Sequence, residues 1–349
     1  MELLPSSKAF LKYSIIVPVF RPEEAVLDRC LHSLLSFHRS DYEIILVETL
    51  YQGQSGLPKS FIGNPLIRFI STSERGISLA RNMGLEAASG LYCFFVDSDD
   101  FVSPHLLDIA DSAIAQNPKG DLYVFGSTGS DGFTSNSYSK EDVFQIDGNE
   151  EKLSYFSTSK IHSANFQEKS VWAKLFRTSI IQRNSLKFDT SLLVAEDQFF
   201  VLRYLLCSGS AVFATECLVY HYEISASSLT VALRANSPEC YSNCVTAWNA
   251  LIDANPQYLS LKNNRAFNIT LVYLPRLLGN YLCAPANGLT QKEAFKLFAT
   301  FVKQNHCTKT SHECRYSWSR GAKKKLQLFL LKTHQLRLYF HLFWKLYHH

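Results

Sequence analysis

Four short apolar runs shape the first hundred residues. They are Tyr13–Phe20 (YSIIVPVF), Tyr42–Val47 (YEIILV), Leu66–Ile70 and Leu91–Val96 (LYCFFV). Each is too short for a buried helix and rich in β-branched or aromatic side chains. Such runs read as strands buried on both faces. Helical patterns lie between them. Pro22, Glu23 and Glu24 open one, with Leu27, Leu31, Leu34 and Leu35 at helical spacing. Ile77–Ala88 is a second, which Gly90 is expected to end. Ser103-Pro104 opens a third that runs to Gln116, before a further strand at Asp121–Gly126. The order β-α-β-β-α-β-α-β implies an α/β fold, a mostly parallel sheet with helices on both faces. Ligands bind such sheets outside the carboxyl ends of the strands. That rule selects the segments after Val19, Val47, Ile70 and Val96.

Residues 127–170 are polar and strand-poor, and read as an excursion. Structured patterns return at Val171–Arg177, Ser191–Leu206 and the strand Ala211–Tyr222. From there the periodicity is helical: Cys240–Ala254, Lys262–Leu282, Gln291–Gln304 and Lys323–Tyr347. The organisation expected is therefore residues 1–232 as an α/β domain and 233–349 as a helical C-terminal region. The nine cysteines show no CxxC pair, which fits reduced thiols better than a disulfide framework. The N-terminus lacks a basic segment followed by a long apolar one, and no long uninterrupted apolar stretch follows, so a cytoplasmic location is expected.

The chemically loudest segment is Val96-Asp97-Ser98-Asp99-Asp100. In an extended chain Asp97 and Asp99 point to the same side. Their hard oxygens suit Mg²⁺ or Mn²⁺, ions that also share phosphate oxygens. Capping of the helix that starts near Pro104 is the alternative use for these acids. Spacing alone leaves both open.

Four signatures now stand in order: SIIVPVF; Gly76-Ile77-Ser78-Leu79-Ala80-Arg81-Asn82-Met83-Gly84; Phe95-Val96-Asp97-Ser98-Asp99-Asp100; and Ala195-Glu196-Asp197-Gln198-Phe199-Phe200, preceded by Trp172-Ala173-Lys174-Leu175-Phe176-Arg177. Together they resemble the family 2 glycosyltransferases of bacterial polysaccharide assembly, over about the first 230 residues. The resemblance implies a GT-A fold, a Rossmann-like sheet with a nucleotide-sugar donor at its carboxyl edge, and inverting transfer to an acceptor hydroxyl. It implies donor contacts at Pro18, Val19, Glu48, Arg81, Asp97 and Ser98. Metal ligation falls to Asp99 and Asp97, with His221 as a further candidate, and the ion is Mn²⁺ or Mg²⁺. Asp197 is implied as the base that takes the acceptor proton, with Glu196 beside it. Capping of the helix running through Gln198–Cys207 is the alternative, compatible use of these two acids. Arg81 pairs with the diphosphate or with a carboxylate of the site, and Trp172 either stacks on an acceptor sugar or is core.

One segment departs from the pattern. Where the family commonly shows V-D-D-G-S, this chain has Val47-Glu48-Thr49-Leu50-Tyr51. Glu48 can replace the first acid and Thr49 cannot replace the second. A non-catalytic partner subunit therefore stays in view as a rival, as does a nucleotidyltransferase, which also pairs aspartates on an α/β fold.

The tail has its own character. The net charge is +4, yet no acidic residue follows Glu313, while eight of the 35 Lys and Arg do. On a helical wheel of Lys323–Tyr347, His334, Arg337, His341 and Lys345 fall on one side. Phe329, Leu336, Tyr339, Phe340, Phe343 and Leu346 fall on a broad apolar side, with Trp344 at its edge. A basic amphipathic helix of this kind suits peripheral contact with an anionic leaflet at the inner membrane face, where a glycan or lipid-linked acceptor is met. Docking on the protein is the other use of that face. So apolar a helix argues against a nucleic-acid partner.

Overall fold

The computed structural model describes residues 11–21, 23–129, 143–158, 169–223, 237–314 and 321–347. The chain divides into two compact units. The first is Met1–Lys152, Ile161–Thr190 and Glu196–Ile224; the second is Leu153–Lys160, Ser191–Ala195 and Ser225–His349. The expected boundary at 232/233 lies outside the described residues. The two short stretches that join the second unit early have no counterpart in the sequence reading.

The first unit is built on one sheet. Its strands are β1 (Tyr13–Phe20), β2 (Tyr42–Thr49), β3 (Ile67–Thr72), β4 (Tyr92–Phe95), β5 (Phe101–Val102), β6 (Leu122–Thr128), β7 (Phe144–Ile146), β8 (Lys174–Arg177) and β9 (Ala211–His221). The order is β3-β2-β1-β4-β8-β6-β9-β5, with β7 also paired to β9. β8, β5 and β7 run against the other six, so the sheet is mostly parallel. Helices α1 (Glu24–Leu35), α2 (Ile77–Ala87), α3 (Leu106–Gln116), α4 (Asn149–Thr158), α5 (Thr178–Arg183) and α6 (Glu196–Cys207) complete the run to β9.

Strand β1 shows why both faces are covered. Tyr13, Ile15, Val17 and Val19 share a core with Leu27, Leu31 and Leu34 of α1 and Leu106, Leu107 and Ile109 of α3. Each such aliphatic side chain contributes about 1.5–3 kcal/mol when fully buried. Ile16 points the other way, toward α2. A Cβ on Gly84 would lie 2.4 Å from its Cγ2, so only glycine allows α2 this close to the sheet. Gly76, at φ 141, turns the chain into α2 through a conformation closed to other residues.

The polar stretch 127–170 falls partly on residues outside the described set; the rest holds β7 and α4. Asp97–Asp100 does not cap α3. That helix starts at Leu106 with His105 as an N-cap that makes no side-chain bond, and β5 intervenes.

The second unit is helical. It contains α7 (Pro238–Asp253), α8 (Leu259–Asn268), α9 (Leu274–Leu277), α10 (Gln291–Gln304), α11 (Cys307–Glu313), α12 (Ala322–Lys332) and α13 (Leu336–Tyr347). The expected helix through Leu282 is continuous but loosened. Pro275, which has no N–H to donate, sits between π-helical turns at Ile269–Tyr273 and Leu278–Leu282. The expected single helix at Lys323–Tyr347 is instead two, broken where His334 takes left-handed backbone (φ 59).

The tail's aromatic side is partly docked: Tyr339, Phe340 and Phe343 are buried, and Phe298 of α10 packs against Tyr339 and Phe340. Leu338, Leu342 and Leu346 stay exposed at steps of four, on a side of α13 that also shows Arg337, His341 and Lys345. Among the described residues, no helix is long and apolar enough to cross a membrane.

Candidate active site

Strand β4 ends at Phe95, so Asp97 emerges at the carboxyl end of a central strand. The turn that follows is tied down from two sides. The Asp97 N–H donates to Tyr220 Oη (3.1 Å), and Tyr220 Oη donates to Asp100 Oδ2 (2.5 Å). The N–H of Glu223 donates to Asp100 Oδ1 (2.8 Å). Asp100 is buried, and burial followed by the charge of Asp97 pushes its carboxyl up to about 8. Asp100 is thus a brace for the turn. Asp97 is half-buried and Asp99 is exposed. Partial desolvation, then the charge of Asp97, raises the Asp99 carboxyl. A cation would relieve that repulsion, and the oxygen donors are of the kind Mg²⁺ and Mn²⁺ prefer. Among the described residues no group of three or more His, Cys, Asp or Glu could hold a metal ion.

Helices α2 and α6 carry the rest of the cluster. The Arg81 side chain is 1% exposed. Its Nη2 donates to Asp97 Oδ1 (2.9 Å), and its Nη1 to Glu196 Oε1 (3.2 Å) and Asp197 Oδ1. Of the two pairings expected for Arg81, the structure shows the one with carboxylates. Its guanidinium lies 5.4 Å over the Phe188 ring. Asn82 holds Phe188 through both backbone groups, donating to its C=O and accepting from its N–H. Phe188 stacks on Phe200 of α6 at 4.1 Å, and Phe200 meets Phe95 of β4. The consecutive Arg81 and Asn82 therefore lock the start of α6 to the end of β4.

One guanidinium meets three carboxylates here, and the electrostatics follow. Burial first, then Asp197, raises Glu196 to about 8; burial also raises Asp197, against the pull of Arg81 and a hydrogen bond from Glu196. The hydrogen bond between the two acids raises Glu196 and lowers Asp197. A carboxylate of raised basicity, partly open to solvent at 21% exposure, is suited to accept a proton from a hydroxyl.

The departing segment after β2 has a definite structure. Glu48 is 2% exposed, and the chain at 51–56 folds back on it. Ser55 Oγ donates to its Oε2 (2.7 Å) and the N–H of Gly56 to its Oε1 (2.6 Å). A cavity of about 350 Å³ lies here, lined by Arg21, Glu48, Thr49, Tyr51, Gln54, Ser55 and Gly56, with Arg21 4.2 Å over the Tyr51 ring. Pro18 and Val19 stand nearby in β1, opposite Val47 and Glu48, but the Val19 side chain belongs to the core. Ser98 is half-buried in the acidic turn.

Two expectations meet difficulties of geometry. Trp172 is bridged to Phe95 and 7% exposed, with Tyr220 stacked at 4.7 Å and Tyr222 at 5.5 Å. Of the two uses expected for it, the structure shows the one in the core. His221 stacks on Phe101 at 4.2 Å, with Nε2 3.7 Å from Glu223 Oε2. Its buried Nδ1 has no partner among the described residues, and it joins no metal-holding group there. The sequence reading missed Tyr220, Tyr222, Glu223 and Arg29, which pairs with Glu223 at 3.0 Å. The two-residue period of β9, which puts Tyr220 and Tyr222 on one side, was the signal available for the tyrosines.

Residues 14–183 match the model of the family described as Glycosyl transferase family 2. Among curated relatives, the chain is 27% identical to the poly(ribitol-phosphate) beta-N-acetylglucosaminyltransferase TarP of Staphylococcus aureus. That match covers 61% of this chain and 62% of TarP. It is 32% identical to the uncharacterized glycosyltransferase EpsJ of Bacillus subtilis, over 54% of each chain. It thus spans less than two thirds of the length of these relatives. Among solved structures, TarS 1–349 of S. aureus in complex with UDP-GlcNAc superposes with a TM-score of 0.65 at 17% identity. That superposition covers 94% of this chain and 89% of the other, and supports the α/β fold.

Proposed function

We propose, from the match of residues 14–183 to the model of glycosyl transferase family 2, that the chain is an inverting glycosyltransferase of cell-surface polysaccharide synthesis. The observation that carries this reading is the single cluster in which Arg81 joins Asp97, at the end of β4, to Glu196 and Asp197, at the start of α6. The donor is a nucleotide-diphospho-sugar, its nucleoside held in the cavity beside Glu48 and Tyr51. TarS has been solved with UDP-GlcNAc, which makes that donor the first to try. The Asp197 carboxylate takes the proton from an acceptor hydroxyl. The freed oxygen bonds to the anomeric carbon from the side opposite the leaving group, the bond from that carbon to phosphate breaks, and the nucleoside diphosphate departs. The hydrogen bond from Glu196 favours the charged form of Asp197. Asp97 and Asp99 would hold Mn²⁺ or Mg²⁺, which when bound neutralises charge on the diphosphate. The acceptor is a glycan or lipid-linked glycan.

A donor panel tests the reading. UDP-, GDP- and dTDP-sugars are offered with Mn²⁺ and with a chelator, and free nucleoside diphosphate is measured. The expected result is hydrolysis or transfer with one donor class, lost in the chelator. Nucleoside triphosphate and sugar 1-phosphate formed when pyrophosphate is supplied with a donor would favour nucleotidyl transfer, and no product from any donor would favour a non-catalytic subunit.

Peripheral attachment to the inner membrane face from the cytoplasm is the finer part of the proposal. It now rests on the exposed Leu338, Leu342 and Leu346 beside Arg337, His341 and Lys345. In co-sedimentation with vesicles containing anionic lipid, the full chain should pellet, and Leu338→Ser with Leu342→Ser should stay in solution. Wild-type protein left in the supernatant would reject attachment.

A further inference from the structure

Three aromatic rings form a column in the first unit. Tyr220 is at its foot, fully buried, with its hydroxyl bonded to both Asp97 and Asp100. Trp172 lies on Tyr220 at 4.7 Å and 7° between ring planes, and Tyr222 lies on Trp172 at 5.5 Å and 15°. Tyr222 is 36% exposed. The column is anchored at two functional points. Its foot holds the acidic turn, and Val171, the residue before Trp172, gives Asp197 a backbone hydrogen bond. The outer ring stays close to the turn as well. Desolvation first, then the charges of Asp100, Asp99 and Asp97, raises its phenol. Among the described residues no second ring or cation is stacked on Tyr222.

An exposed aromatic ring backed by two buried ones is rigid and costs little entropy to use. The C–H face of a pyranose packs well on such a ring, and a site that must hold a sugar at a fixed angle gains from a fixed surface. The geometry points to Tyr222 as the platform on which a sugar ring of the substrates stacks during transfer. The inference rests on the glycosyltransferase reading and moves the stacking role from Trp172, the inner ring, to Tyr222, the outer one. The sugar on the platform belongs to the donor or to the acceptor, and the same chemistry serves either.

The test is steady-state transfer with donor and acceptor varied separately, using the panel donor that the wild-type chain turns over. The free nucleoside diphosphate serves as a competing probe. Tyr222→Leu keeps bulk over Trp172 and removes only the aromatic face; Tyr222→Phe keeps the face and removes the hydroxyl. Tyr222→Leu is expected to raise one KM about fivefold to tenfold, the size of a lost stacking contact. Inhibition by the nucleoside diphosphate should stay unchanged, and Tyr222→Phe should stay near wild type. A rise in the donor KM places the donor sugar on the ring, and a rise in the acceptor KM places the acceptor there. Both KM values within twofold of wild type in Tyr222→Leu would overturn the inference, as would an equal loss in Tyr222→Phe. A wild-type chain that turns over no donor fails the transferase reading itself, before any variant is compared.

Discussion

Two arginine clusters in the first unit use the same side chains to opposite ends. Around Arg39 two cations, Arg39 and Lys12, face two partly buried carboxylates, and a third carboxylate, Asp108, lies 3.5 Å away and largely exposed. Arg39 makes a two-pronged pair with Asp41 (2.6 and 2.7 Å) and reaches Asp111 (2.8 Å), which Lys12 and Tyr13 also hold. Bonding to Arg39 lowers the Asp41 carboxyl. Burial would raise Asp111, but its bonds from Lys12, Tyr13 and Arg39 lower it on balance. Around Arg81 the count is one cation to three carboxylates, with Arg81 only 1% exposed, and both Glu196 and Asp197 are raised. The Arg81 Nε has no partner, although it is buried. A cluster that served only stability would not leave a negative excess and an unpaired donor in a desolvated place. The first cluster lowers its carboxyls, and the second leaves its carboxyls raised.

The largest expected effect that sharpens this contrast is on stability. Arg81→Met strands three carboxylates and should cost about 3–5 kcal/mol in urea unfolding, as loss of one partner from a buried ionic cluster does. Equal losses in Arg81→Met and Arg39→Met would break the comparison.

A smaller effect concerns pH. The Glu196 carboxyl stands at about 8 in the folded chain against an ordinary value of 4.5. Its contribution to stability is therefore full below about 4.5 and is lost as pH rises toward 8. The thermal midpoint should fall by a few °C over that window, and Glu196→Gln should flatten the fall. For Asp41 and Asp111, whose carboxyls are lowered, the sign reverses. Their stabilisation is present above the ordinary carboxylate value and is lost as pH falls below it, so Asp111→Asn should weaken only the acid limb. The smallest effect is that of Arg39→Met, about 1 kcal/mol, because its partners are a third exposed and screened.

Periodicity made the early strands and helices legible, because each buries its apolar positions against the sheet. Strand β1 runs over Tyr13–Phe20 as read, and α2 ends at Ala87, one residue before the expected end. Gly90 is not its cap; it sits tight against Tyr13 and Ser14 instead. Strand β5 went unseen, since two residues hold no period. The tail break at His334 was hidden because both halves share apolar spacing and no glycine or proline marks the turn.

The site was legible in its acids but not in their wiring. Asp97, Glu196 and Asp197 stand out by type and motif, whereas Arg81 reaches acids 115 and 116 positions away. The fate of Glu48 was also closed to sequence reading. The backbone of Gly56, not a motif, occupies one of its oxygens. Trp172 stood out as the largest ring near the acids, and only packing reveals that its neighbours cover it.

The most direct test of the account is the base. Asp197→Asn keeps the shape of α6's first turn and removes the proton acceptor. Transfer should fall by at least about a hundredfold, while binding of the nucleotide-sugar, read by calorimetry with Mn²⁺, stays within about twofold of wild type. An Asp197→Asn chain that transfers sugar at the wild-type rate would contradict the assignment of Asp197 and the chemistry built on the Arg81 cluster.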